Sequence, residues 1–215
     1  MKERGMIFNA EMVRALLDGR KTQTRRIIKD CTVGRDPISK FIKIGKKFIG
    51  CYPEDVPELI RECCPYGVPG DRIWVRETWA EAGASAPDLK LYRANYPEHV
   101  PSIYENVPPA EEIRWTPSIH MPRTASRILL EITDVRVERL NAISEEDAEA
   151  EGIDMEALYD SQDCYDCIAD HNMTGRPTVT GAFKYLWESI YGEEGWKSNP
   201  WVWVIEFKRV EGGAA

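Results

Sequence analysis

Residues 9–29, NAEMVRALLDGRKTQTRRIIK, hold the transition on which the fold reading turns. Asn9 offers a side-chain oxygen to the first free N–H groups of a helix, and Glu11 lies in the first turn, where the helix dipole favours a negative charge. Val13, Leu16 and Leu17 repeat at i, i+3, i+4, and Gly19 is suited to a left-handed cap. The pattern predicts a short amphipathic helix over 9–18. Arg20–Ile28 then reads as a strand, because Thr and Ile favour pleated backbone; Thr22, Thr24 and Arg26 would share one face.

Working outward, Met6–Phe8 reads as a short strand before the helix. Residues 41–49 alternate apolar and basic around Gly45, as in a hairpin with a Lys-rich face. Pro69-Gly70-Asp71 is a turn that feeds a strand over Arg72–Trp79, with Ile73, Val75 and Glu77 directed inward. Residues 80–116 are proline-bearing and irregular, and read as an insertion. Arg127–Leu140 is strand-like with a phase break at Thr133-Asp134, the mark of a bulge or a hairpin. Ser144 caps a short acidic helix that ends at Gly152, and residues 154–181 form a second expected insertion. Phe183–Tyr191 has helical spacing, and Trp201–Arg209 is an apolar closing strand. The expectation is one α+β domain over 1–215, a small β-barrel flanked by short helices.

The net charge of −8 conceals a division. Residues 1–50 carry thirteen Lys or Arg against five Asp or Glu, whereas residues 144–170 carry eleven acids and no base. Fields act locally, so a basic face is compatible with an acidic average. With 43% hydrophobic residues the chain can bury a core, which excludes disorder as the whole account. No apolar window is long enough for a membrane span, and Glu3, Glu11 and Asp18 interrupt any secretory signal. A cytoplasmic protein with six reduced cysteines is expected.

Residues 19–29 hold five bases, no acid and two Thr hydroxyls. They read either as a solvated basic strand or as a site for phosphate or a polar ligand. Lys21 lies among Arg20, Arg25, Arg26 and Lys29, which disfavour its charged form, and an amine so shifted can act as a general base. Thr24, three residues on, is then a hydroxyl to activate. Glu151 falls in the last turn of its helix, where the dipole disfavours a carboxylate, as suits a proton shuttle. Glu77 reads as an ion-pair partner for a buried Arg or as a ligand contact, and His120 with Arg123 as a structural loop or a polar lining. Cys164, Cys167 and His171 have metal-like spacing that Cys64, in the Cys63-Cys64 pair, would complete as a zinc clip; simple core thiols are the plainer reading. There is no nucleophile elbow and no Gly-rich phosphate loop.

The run Gly19-Arg20-Lys21-Thr22-x-Thr24-x-Arg26 after a helix, Gly70-Asp71-x-Ile73 opening a strand, the acidic helix Ser144–Gly152 and the closing Val204–Lys208 together resemble the ASCH domain, a small barrel of the PUA-like superfamily. Residues 69–79 and 199–203 look like the longer members carried by bacteriophages and prophages. The resemblance implies a cleft for a nucleobase, nucleoside or RNA; no cofactor is expected. One compact branch removes the acyl group from acetylated cytidine, and its catalytic Lys, Thr and Glu fall on Lys21, Thr24 and Glu151. Arg20, Thr22, Arg26, Glu77, His120 and Arg123 are expected as substrate contacts from the reading of the residues themselves. Other members are similar to ribonucleases or RNA binders. Two rivals therefore stand beside the hydrolase: a non-catalytic RNA or DNA binder, and an acidic protein-interaction module.

Overall fold

The computed structural model describes residues 1–29, 31–33, 41–44, 47–50, 56–83, 86–160 and 178–210. In chain order the elements are β1 (Glu3–Ile7), α1 (Ala10–Leu17), β2 (Gln23–Ile27), β3 (Cys31–Val33), β4 (Phe41–Ile44), β5 (Lys47–Gly50), α2 (Val56–Cys63), β6 (Arg72–Arg76), β7 (Trp79–Glu81) and β8 (Lys90–Tyr92). They continue with β9 (Leu129–Arg139), α3 (Glu145–Ala150), α4 (Met155–Asp160), α5 (Val179–Tyr191), α6 (Glu193–Lys197) and β10 (Trp201–Arg209). The protein is α+β. Its main sheet has the order β1-β6-β9-β10-β2, parallel between β1 and β6 and antiparallel elsewhere.

Local chemistry explains most of these elements. Asn9 caps α1 by accepting the Met12 N–H at 2.8 Å, and Gly19 follows the helix with φ +78°. The break read at Thr133-Asp134 is a bulge. Glu206 pairs with Asp134 and Phe207 with Ile132, which leaves Thr133 as the extra residue within one strand. Residues 41–44 and 47–50 pair as the expected hairpin; the residues joining them lie outside the described set. Of the first expected insertion, part is ordered as β7, β8 and short 3₁₀ turns. Of the second, Met155–Asp160 is helical and α5 already begins at Val179, capped by Thr178, so the helix is longer than its periodicity suggested. Residues 161–177 lie outside the described set.

β10 is buried on both faces, which is why it reads as a continuous apolar run. Trp203, Ile205 and Phe207 join Ile73, Val75 and Leu130 in the principal core, against Val13 and Leu16 of α1. Val202 and Val204 face the other way, toward Ala148 of α3 and Phe183 and Trp187 of α5. Among the described residues the sheet does not close into the expected barrel: β1 and β2 are its edges. A side chain joins those edges instead of a ladder, because Arg26 Nη2 donates to the Ile7 carbonyl at 2.9 Å and its guanidinium lies 5.3 Å from the Phe8 ring centre. No described helix is long and apolar enough to cross a membrane.

Candidate functional site

Two backbone bonds fix the start of the basic run, one to α1 and one to the acidic helix α3. The Lys21 N–H donates to the Ala15 carbonyl at 3.0 Å, and the Thr22 N–H to the Ala150 carbonyl at 2.9 Å. The first folds the chain back over the end of α1; the second ties the approach to β2 to the end of α3. Glu151 is the C-cap of α3, and Gly152 follows with φ +95°. Lys21 Nζ consequently donates to Glu151 Oε2 at 2.8 Å and to the Glu151 carbonyl at 2.6 Å. Both side chains are buried, at 0% and 3% exposure.

Burial is the main cause that lowers the Lys21 pKa; Glu151 opposes it, and Arg26 and Arg25 add to it. The direction agrees with the sequence reading, although Arg20 and Lys29 are not among the causes. The dipole argument for Glu151 is displaced by nearer charges, since its carboxylate stands between Lys21 and Arg25, with Arg25 Nη1 3.2 Å from Oε1. Arg25, not the expected Arg26, makes this contact; Arg26 donates to the Ile7 carbonyl instead. Strand alternation was the available signal: it sets Gln23 and Arg25 on the face opposite Thr24 and Arg26, toward the acidic helix. Arg25 Nη2 also reaches Asp147 at 2.7 Å and Glu138 at 3.3 Å. Arg136 pairs with the same two acids and with Glu206, and Gln23 donates to the Asp147 carbonyl at 2.6 Å. Burial raises the Asp147 pKa, but Arg136 and Arg25 outweigh it and hold the carboxyl below the usual range.

Thr24 is buried and stands opposite Ile205 of β10. Among the described residues no hydrogen bond engages its hydroxyl, so the Lys21–Thr24 bond that activation needs is not preformed. Thr24 lines a small void of about 20 Å³, together with Arg25, Arg26 and Glu151. Beside it opens a cleft of about 430 Å³, whose lining includes Glu11, Arg14, Arg20, Glu151, Asp154 and Tyr185. Glu151 belongs to both spaces.

The other sequence candidates separate. Arg20 borders the large cleft and pairs with Asp18 at 2.9 Å. Thr22 is exposed and lies before β2, which begins at Gln23, so it does not share a strand face with Thr24. Glu77 is buried in a two-pronged pair with Arg127, both contacts at 2.9 Å, and Arg127 stacks 4.0 Å from the Tyr92 ring centre. His120 is exposed, and Arg123 pairs with Glu3 at 2.9 Å. None of Glu77, His120 and Arg123 lines either space. Cys164, Cys167 and His171 lie outside the described residues. Cys64 is buried, which raises its thiol pKa, and no metal-capable cluster occurs among the described residues. The basic strand is not a solvated face, because Lys21 and Arg25 are sequestered and paired. Comparison with protein-family models, with curated proteins and with solved structures finds no match.

Proposed function

We propose that the chain is an ASCH-like protein of PUA-like fold that hydrolyses the acyl amide on the exocyclic amine of cytidine, with Lys21, Thr24 and Glu151 as its catalytic residues. One observation carries the reading: Glu151, paired with the buried Lys21 at 2.8 Å, borders both a nucleoside-sized cleft and a small void that Thr24 also borders. The five-stranded sheet, whose two edge strands are joined in sequence by α1 and in space by the Arg26–Ile7 bond, supports the fold reading.

The pair shares one proton. Moving it from Nζ to Oε2 leaves a neutral amine beside a carboxylic acid, and burial favours that neutral form of Lys21. The amine then takes the Thr24 Oγ1 proton as Oγ1 bonds to the acyl carbon. Arg25 Nε and Arg26 Nε are buried N–H groups with no partner among the described residues; Arg26 shares the strand face of Thr24 and borders the void, so its Nε is the candidate oxyanion donor. When the C–N bond breaks, Glu151 gives its proton to the leaving amine. Water then hydrolyses the Thr24 ester, releasing the carboxylic acid and restoring the hydroxyl and the shared proton.

The test is incubation with N4-acetylcytidine, followed by ultraviolet absorbance. Turnover is expected, and Lys21→Ala should lower kcat by about 10²–10⁴-fold, as expected for loss of a general base. An unchanged rate in Lys21→Ala, or no turnover by the unaltered chain, overturns the proposal.

A further inference from the structure

The two spaces that meet at Glu151 differ in size and in chemistry. The larger, about 430 Å³, is bordered by charged side chains and by the ring of Tyr185, which is 59% exposed. The smaller, about 20 Å³, has room for one water-sized or methyl-sized group. Its polar side comes from Thr24, Arg25 and Arg26 of β2. Its apolar side comes from Phe183, Leu186 and Trp187 of α5. Met12 and Leu186 line both spaces and with Glu151 form the wall between them.

This arrangement fixes how an acylated nucleoside would lie, granted the hydrolase reading. Thr24 must bond to the acyl carbon and borders only the small void. Glu151 must reach the leaving nitrogen and stands at the junction. The base and sugar then occupy the large cleft beside Tyr185, and the alkyl part of the acyl group points into the small void against α5. The carbonyl oxygen is left on the arginine side.

We infer that Leu186, with Met12 behind it, determines acyl length, so that the protein selects acetyl over longer acyl groups on the same nucleoside. The selection is steric: a methyl fills the void, and each added methylene must displace α5 side chains. Discrimination of about tenfold or more per methylene is the scale a tight apolar pocket achieves.

The experiment compares kcat/KM for N4-acetyl-, N4-propionyl- and N4-butyrylcytidine with the full chain and with Leu186→Ala and Leu186→Phe. The expected result is a steep fall from acetyl to butyryl in the unaltered chain, and a butyryl-to-acetyl ratio raised by about tenfold in Leu186→Ala. Leu186→Phe should lower the propionyl rate further relative to acetyl, and it serves alone if Leu186→Ala does not fold. Acetyl turnover with the same length profile in every folded variant overturns this inference and leaves the hydrolase reading standing. Turnover of none of the three substrates overturns both.

Discussion

Gly152 shows at the scale of one residue how closely Lys21 and Glu151 are held. Its φ of +95° disfavours an L side chain, and a Cβ there would lie 2.8 Å from the Ala15 Cβ and 2.9 Å from the Lys21 Cβ. Gly152→Ala is therefore expected to cost about 1–3 kcal/mol in chemical denaturation, through backbone strain and crowding. It should also lower kcat, because the displaced group is the proposed base. Lys21 itself makes a prediction in pH. Its folded pKa is lowered chiefly by burial, so the unfolded chain binds the proton more tightly. Stability attributable to Lys21 must then rise with pH, from the folded pKa up to the unfolded value of about 10.4. The stability difference between the unaltered chain and Lys21→Met, measured from pH 7 to 10, should move in favour of the unaltered chain. A difference that stays flat would contradict the lowered pKa. Lys21 and Glu151 were legible in the sequence from charge and helix position. Thr22 does not share the strand face expected of it, because the chain bends over the end of α1 and the strand starts only at Gln23.

The elements that organise the site are short, and α3 is the most instructive. Six residues with three acids in the first turn would not hold alone; Ser144 Oγ accepts the Asp147 N–H at 3.1 Å, and Arg25, Arg136 and Gln23 grip Asp147. Ser144→Ala should cost about 1 kcal/mol, the usual value of a cap. Asp147→Ala should cost about 3 kcal/mol, because it leaves Arg25 and Arg136 with fewer partners. Denaturant midpoints that rank Ser144→Ala as the more damaging would contradict this account of how α3 is anchored. Caps and periodicity are local, so α1, α3 and β10 could be read from the chain. The first turns of α5 could not, since Gly181 interrupts the apolar pattern. The parallel pairing of β1 with β6 joins residues about seventy positions apart, which no short-range pattern encodes.

For the molecule as a whole, the division of charge proves to be an internal contact. The basic run and the acidic helix meet through Lys21 and Arg25 on one side and Glu151 and Asp147 on the other. The sequence showed that both regions exist; their meeting depends on β2 and α3 being joined by backbone, which is a property of the fold. The expected barrel was the larger difference, because period-two patterning cannot distinguish an open sheet from a closed one. Asp147 and Asp71 both have lowered carboxyl pKa values in spite of burial, Asp71 through the Lys2 N–H at 2.7 Å and Arg4 at 3.1 Å. Their stabilisation is complete above the unfolded value of about 3.9 and is lost as pH falls through the lower folded values. Acid unfolding followed by circular dichroism should thus begin below about pH 4, and Asp147→Asn should weaken its pH dependence. The most direct test of the central claim is the rate of N4-acetylcytidine deacetylation by the unaltered chain beside Thr24→Ser and Thr24→Val. The expected result is turnover that persists with Ser and vanishes with Val, which has the same shape and no hydroxyl. Turnover undiminished in Thr24→Val would contradict the account.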